Sequence, residues 1–162
     1  EILKYSNKEN IKGTLKDALR GADVFIGVSQ GDLLSTTDVQ TMNAEPIIFA
    51  LANPNPEITP EKAYKGGAGV VGTGRSDVPN QINNVLAFPG IFRGALDIRA
   101  RRITARMKVA AAYAIADCVT DLHRDNIVPS TLDMNVAKNV AIAVKQAYLD
   151  DIKNMETPKH AL

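Results

Sequence analysis

The sequence predicts an α/β protein built on a parallel sheet, on three observations. First, three runs are apolar without alternation: "ADVFIGVS" (22–29), "PIIFALA" (46–52) and "AGVVGTG" (68–74). Such runs read as strands buried on both faces, as strands of a parallel sheet are. Second, a short helical pattern precedes each run, so that helix and strand alternate three times. Third, that alternation is what crossover connections between parallel neighbours require.

Each element carries its own signals. In "GTLKDALRG", Thr14 is placed to cap a helix, with Asp17 three residues on, Leu15, Ala18 and Leu19 on one face, and Gly21 as the stop. Ser35 is the next expected cap, with Asp38 at the third helical position and Val39 and Met42 as the apolar face. "TPEKAYKGG" predicts a helix capped by Thr59, with Pro60 first and Gly66 as terminator. The pattern then changes. "RSDVPNQINN" reads as a polar loop, and a helix is expected from Pro89. "ITARMKVAAAYAIADCV" predicts a long helix with Ile103, Met107, Ala110, Ala114 and Cys118 on one face. "NVAKNVAIAVKQAYLDD" predicts the last, with Val136, Val140, Ala143 and Ala147 inward. The chain therefore divides into an α/β half-sheet with its loop, residues 1–100, and C-terminal helices, residues 101–162.

Composition narrows the function classes. The 162 residues are 45% hydrophobic and 23% charged with a net charge of +1, which suits a soluble globular domain and argues against nucleic acid as the main partner. No apolar run approaches the ~20 residues that span a bilayer. No charged start leads into an apolar stretch, so no signal peptide is expected. Cys118 is the only cysteine, which excludes an internal disulfide and fits a reducing, cytoplasmic setting. The opening "EILKYSNKEN" reads like the tail of a helix (Ile2, Leu3, Tyr5) entered in mid-course, so a fragment of a longer protein is expected.

The chemistry is expected at one edge. In open parallel sheets, ligands sit beyond the carboxyl ends of the strands. Three stretches fall there: "GVSQGD" (27–32), "ANPNPE" (52–57) and "GTGRSD" (72–77). Each alone is an ordinary turn; three on one edge favour a ligand crevice. Gly27, Gly72 and Gly74 would let a ligand approach the backbone or would take positive φ. "GTGRSD" is not a GxGxxG fingerprint, and none occurs in the chain. Asn53 offers a donor and an acceptor without charge, and Pro54 and Pro56 stiffen its corner. The alternative for Asn53 is an Asx-type turn. Asn83 and Asn84 form a second carboxamide pair, with turn or cap chemistry as their alternative. Arg75 and Asp77 read as a loop ion pair, His123 and His160 as solvated, and Cys118 as core. Arg99, Arg101, Arg102 and Arg106 read as a solvated basic face. No histidine or carboxylate cluster has metal-ligand spacing.

Taken in order, "ADVFIGVS", "PIIFALANPNPE", "VVGTGRSDVPNQINNVLAFPGIFRGALDIRA" and "MKVAAAYAIA" closely resemble the malic enzyme family. The resemblance runs from about Thr14 to Leu149 and is most specific over residues 72–100; it is closest to the shorter prokaryotic type. It implies the second half of a Rossmann-like parallel sheet of about three strands, with flanking and C-terminal helices. It implies an enzyme that oxidises L-malate with NAD or NADP, decarboxylates the product to pyruvate and CO₂, and needs Mg²⁺ or Mn²⁺. Asn53 and Asn83 would bind malate, while Val28, Ser29, Leu51, Asn53 and Asn84 would lie along the dinucleotide. The family's tyrosine acid, lysine base, metal-binding carboxylates and glycine fingerprint have no counterpart in this chain. They are expected in a missing N-terminal part of the same enzyme, and this chain alone is expected to be inactive. A homodimer is the family's expectation.

The competing expectation is a stand-alone, non-catalytic dinucleotide-binding or oligomerisation module. Another Rossmann dehydrogenase is disfavoured by residues 72–100. If "ADVFIGVS" is the fourth strand of such a sheet, its outer edge is unpaired here, and either self-association through that edge or pairing with the missing half is expected.

Overall fold

The structure, a computed structural model, describes residues 4–156. It forms two compact units, Glu1–Ile82 and Asn83–Leu162.

The first unit alternates helix and strand in the expected order: α1 (Leu15–Leu19), β1 (Val24–Gly27), α2 (Thr36–Val39), β2 (Ile47–Ala50), α3 (Pro60–Lys65) and β3 (Val70–Thr73). The strands are parallel and lie in the order β1-β2-β3. That is how the last three strands of a Rossmann sheet lie side by side. The caps are those the sequence signals. Ser35 accepts the Asp38 N–H at 3.3 Å while the Asp38 carboxylate accepts the Ser35 N–H at 2.9 Å. Thr59 accepts from the Lys62 N–H, and Pro60 opens α3. Asp17 reaches back to the N–H and hydroxyl of Thr14. Gly21 ends its helix with φ +70°.

The sheet departs from expectation in one respect. Strands buried on both faces were expected, but only one face is fully covered. Phe25, Ile48 and Val71 align across the three strands and join Leu19, Leu34, Val39, Met42, Ile58 and Ala63 in one core. The opposite face carries Val24, Ile26 and Val28, which are 45%, 63% and 78% exposed. Ile47, Phe49 and Val70 on that face are half-buried. Period-two alternation therefore exists in burial although the sequence shows none, because both faces are apolar.

The second unit is helical. A single 3₁₀ turn (Asn84–Leu86) leads into α4 (Phe88–Asp97), then α5 (Ala105–Ala116) and α6 (Met134–Glu156). Ile91, Ala95, Met107, Ala111, Val136, Val140, Val144 and Ala147 form its core. Several expectations need correction here. Ile103 precedes α5 and is exposed, because Thr104 caps the helix by accepting from the Met107 N–H. Cys118 lies beyond the end of α5 and not on its face, half-buried but packed against this core as expected, with its thiol donating to the Ala114 carbonyl. Val144, not Ala143, takes the fully buried position on α6. Ile2, Leu3 and His160 lie outside the described residues, and Tyr5 is exposed.

Candidate functional site

The register places Gly27, Ala50 and Thr73 side by side. The three strands thus end together, and their following corners share one edge of the sheet. This is where Val28, Ser29, Leu51 and Asn53 sit. Val28 and Ser29 are exposed. Leu51 is half-buried, and its N–H donates to the Gly27 carbonyl at 2.9 Å. Asn53 is exposed and its carboxamide makes no hydrogen bond among the described residues, so no Asx turn uses it up. The Asn53–Pro54 peptide is cis.

The two corners are built into each other. The Asp32 N–H donates to the Pro56 carbonyl at 3.0 Å, and the Leu34 N–H to the Glu57 carbonyl at 2.9 Å. Gly31 meets Asn55 so closely that a β-carbon there would lie 2.7 Å from the Asn55 β-carbon. Between the corners sits a carboxylate that the sequence reading passed over. Glu57 is fully buried. Its Oε1 accepts the Ser29 N–H at 2.9 Å and its Oε2 the Ala52 N–H at 3.0 Å. Burial pushes its pKa up, but the N–H donors of Ser29 and Ala52 outweigh this and hold the carboxyl below its ordinary range. The signal available in the sequence was an acidic residue between two prolines' worth of stiff turn and a buried isoleucine, a place where a solvated charge has little room.

The glycines correct a further expectation. None of Gly27, Gly72 and Gly74 has positive φ; Gly13, Gly21 and Gly67 do. At Gly27 the close approach is made by Glu57, whose carboxyl carbon would lie 2.4 Å from an added β-carbon. At Gly72 it is made by the Ile82 side chain, at 2.6 Å. Of these three, Gly74 alone faces open space.

The third corner is held by Asn80, which is buried, has φ +56° and donates to the Val71 carbonyl at 2.9 Å. The Ile82 N–H donates to the Thr73 carbonyl at 2.7 Å. Arg75 and Asp77 form the expected ion pair, with Arg75 Nε 2.9 Å from Asp77 Oδ1. A groove of about 770 Å³ also opens in this unit along Lys16, Asp32–Asp38, Lys62 and Lys65, but Val28, Ser29, Leu51 and Asn53 do not line it.

In the second unit, Asn83 caps the 3₁₀ turn, its Oδ1 accepting the Val85 N–H at 3.0 Å. The cap uses the carboxamide oxygen and leaves Nδ2 as a donor on an exposed residue. Asn84 is exposed, and its carbonyl accepts from the Ala87 N–H. His123 is exposed, its ring nitrogen accepting from the Asp125 N–H. The described residues contain no group of three or more His, Cys, Asp or Glu able to hold a metal ion, and no helix long and apolar enough to cross a membrane.

Known proteins give this geometry its context. Residues 4–149 match the model of the malic enzyme, NAD binding domain, family. The chain is 55% identical over 152 residues to the bifunctional malic/malolactic enzyme of Bacillus subtilis, covering 93% of this chain and 37% of that protein. It is 54% identical over 149 residues to the NAD-dependent malic enzyme of Geobacillus stearothermophilus, covering 91% of this chain and 31% of that one. Relatives named NADP-dependent malic enzymes match as well. The crystal structure of malic enzyme from Pyrococcus horikoshii superposes with a TM-score of 0.87 at 50% identity, over 90% of this chain and 34% of that one. The chain thus spans about a third of the length of these relatives. With its parallel half-sheet and its strand-end corners matching over nearly the whole length, this chain belongs to the family of malic enzyme NAD-binding domains.

Proposed function

We propose that this chain is the cofactor-side portion of a malic enzyme that oxidises L-malate with NAD or NADP and decarboxylates the oxaloacetate formed to pyruvate and CO₂. The observation that carries this reading is the shared edge. Ser29 and Asn53 stand exposed at the carboxyl ends of adjacent parallel strands, where sheets of this class bind dinucleotides. The dinucleotide, when bound, accepts the hydride from malate C2. Val28 and Leu51 give it apolar flanks, and Ser29 and Asn84 give it polar contacts. Asn53 presents a donor and an acceptor to substrate and nicotinamide without adding charge beside a dianion. Asn83 donates from Nδ2 to a malate oxygen while its Oδ1 stays in the cap. Each carboxamide orients the substrate group it meets, and orientation of this kind accounts for large rate factors.

No acid or base is assigned in this chain, and the malate hydroxyl proton passes to a group elsewhere in the parent enzyme. The family's Mg²⁺ or Mn²⁺ finds no fitting ligand set among the described residues, so no step here runs through it. We place the parent in the cytoplasm, on the single cysteine of this chain, and as a homodimer, on the family's habit.

Isothermal titration of this chain with NAD⁺ and NADP⁺, with and without malate and Mn²⁺, tests the reading. Binding of either dinucleotide without turnover is expected if the corners suffice for recognition. Silence throughout moves dinucleotide recognition to the rest of the parent. Malate turnover by this chain alone would overturn the placement of acid and base elsewhere.

A further inference from the structure

We infer that Glu57 is a positioning residue for the dinucleotide and substrate corner: its buried carboxylate locks the Val28–Ser29 corner to the Ala52–Asn53 corner and sets their spacing. The role of the two corners rests on the proposed function; the lock itself rests on geometry. Each carboxylate oxygen takes one backbone N–H, from Ser29 at 2.9 Å and from Ala52 at 3.0 Å, so one side chain bridges the ends of β1 and β2. Ser29 is itself a candidate contact, and Ala52 immediately precedes Asn53. Gly27 completes the device, since a methyl group there would occupy the carboxyl's place. A buried carboxylate is costly unless fully hydrogen-bonded, and a solvent-facing polar residue would serve a plain turn at less expense. The charge also strengthens both bonds, because charge-assisted hydrogen bonds are shorter and stronger than neutral ones.

The test uses the full-length parent enzyme. Glu57→Gln keeps the volume but replaces one acceptor with an NH₂ that opposes a backbone N–H. Gly27→Ala displaces the carboxylate while keeping it. Dinucleotide Kd is read by nucleotide fluorescence, and KM and kcat by malate turnover. Asp38→Asn is the control, because Asp38 is a buried carboxylate of the same unit that caps α2 and pairs with Lys16, away from the two corners. Glu57→Gln and Gly27→Ala are expected to raise dinucleotide Kd and KM at least ten-fold, with a smaller fall in kcat. Asp38→Asn is expected to lower thermal stability and leave Kd within two-fold.

Folded Glu57→Gln and Gly27→Ala enzymes with wild-type Kd would overturn the inference, as would an equal Kd change in Asp38→Asn. If neither variant folds, amide exchange of the wild-type chain decides: slow exchange at both Ser29 and Ala52 upholds the lock, and fast exchange at either sinks it. Absence of malate turnover by the wild-type parent would sink the proposed function and leave the exchange result to judge the lock.

Discussion

Asn53 and Glu57 stand four residues apart in one corner and have opposite fates. Asn53 is exposed with its carboxamide uncommitted, and Glu57 is fully buried with both oxygens engaged. Removing the Asn53 side chain should therefore leave folding intact. In the parent enzyme, Asn53→Ala is expected to lower kcat/KM for malate about 100-fold, the scale of a misplaced substrate, with the thermal midpoint unchanged. A fall in the midpoint with an unchanged kcat/KM would contradict that division of labour. Glu57 behaves in the reverse way toward acid. Its folded pKa lies below its ordinary value of 4.5. Its contribution to stability is therefore complete above that value and is lost as pH falls through the folded pKa. Asp38 adds a second such group: the Ser35 hydroxyl, against the cost of burial, holds it below 3.8. Urea unfolding of this chain from about pH 5 to about pH 3 should show a stability loss that is shallower in Glu57→Gln. An unchanged slope would mean that the carboxyl titrates alike in the folded and unfolded chain.

At the scale of elements, helix contacts are closer than the periodicity alone indicates. On α4, Gly90 and Gly94 are one turn apart and face α6. An added β-carbon at Gly90 would lie 2.5 Å from that of Val140, and one at Gly94 would lie 2.5 Å from the Ala141 carbonyl oxygen. The neighbour in each case includes backbone, which cannot rotate away. Gly90→Ala and Gly94→Ala are expected to destabilise the helical unit by about 1–3 kcal/mol, the usual cost of overpacking, although alanine is the better helix former. Calorimetry showing either variant at or above wild-type stability would mean that α4 and α6 can separate without loss. The cap of α2 is a smaller matter: Ser35→Ala should cost about 1 kcal/mol, checked by chemical denaturation. The type and order of the helices and strands were legible because caps, glycine stops and apolar runs agree with one another. Their ends were not: the face of α5 was drawn to include Ile103 and Cys118, whereas the Thr104 cap begins the helix after one and α5 ends before the other.

At the scale of the molecule, the uncovered sheet face is the dominant feature. Val24 and Ile26 lie exposed on β1, and Val28 just beyond it; β1 is an edge strand of the described sheet. An apolar edge with open N–H and C=O groups pairs readily with another chain. This chain on its own is expected to self-associate with concentration, and Ile26→Lys is expected to shift it toward monomer in sedimentation velocity. A monodisperse monomer at high concentration, with slow amide exchange over residues 22–29, would contradict this.

The sequence by itself determined the α/β class, the three parallel strands, the edge at which their corners gather and the family, because those follow from local pattern and from a specific run of residues between 72 and 100. Tertiary structure alone decided which face of the sheet is covered, since a strand apolar on both sides carries no mark of which side is buried. It alone decided that Gly27 and Gly72 make room for Glu57 and Ile82 rather than for a ligand. It also decided that an acidic residue at the end of a turn is a buried bridge between two strands, because the N–H groups that hold Glu57 come from Ser29, 28 positions away, as well as from nearby Ala52, and no spacing rule within one segment reports a partner supplied by another.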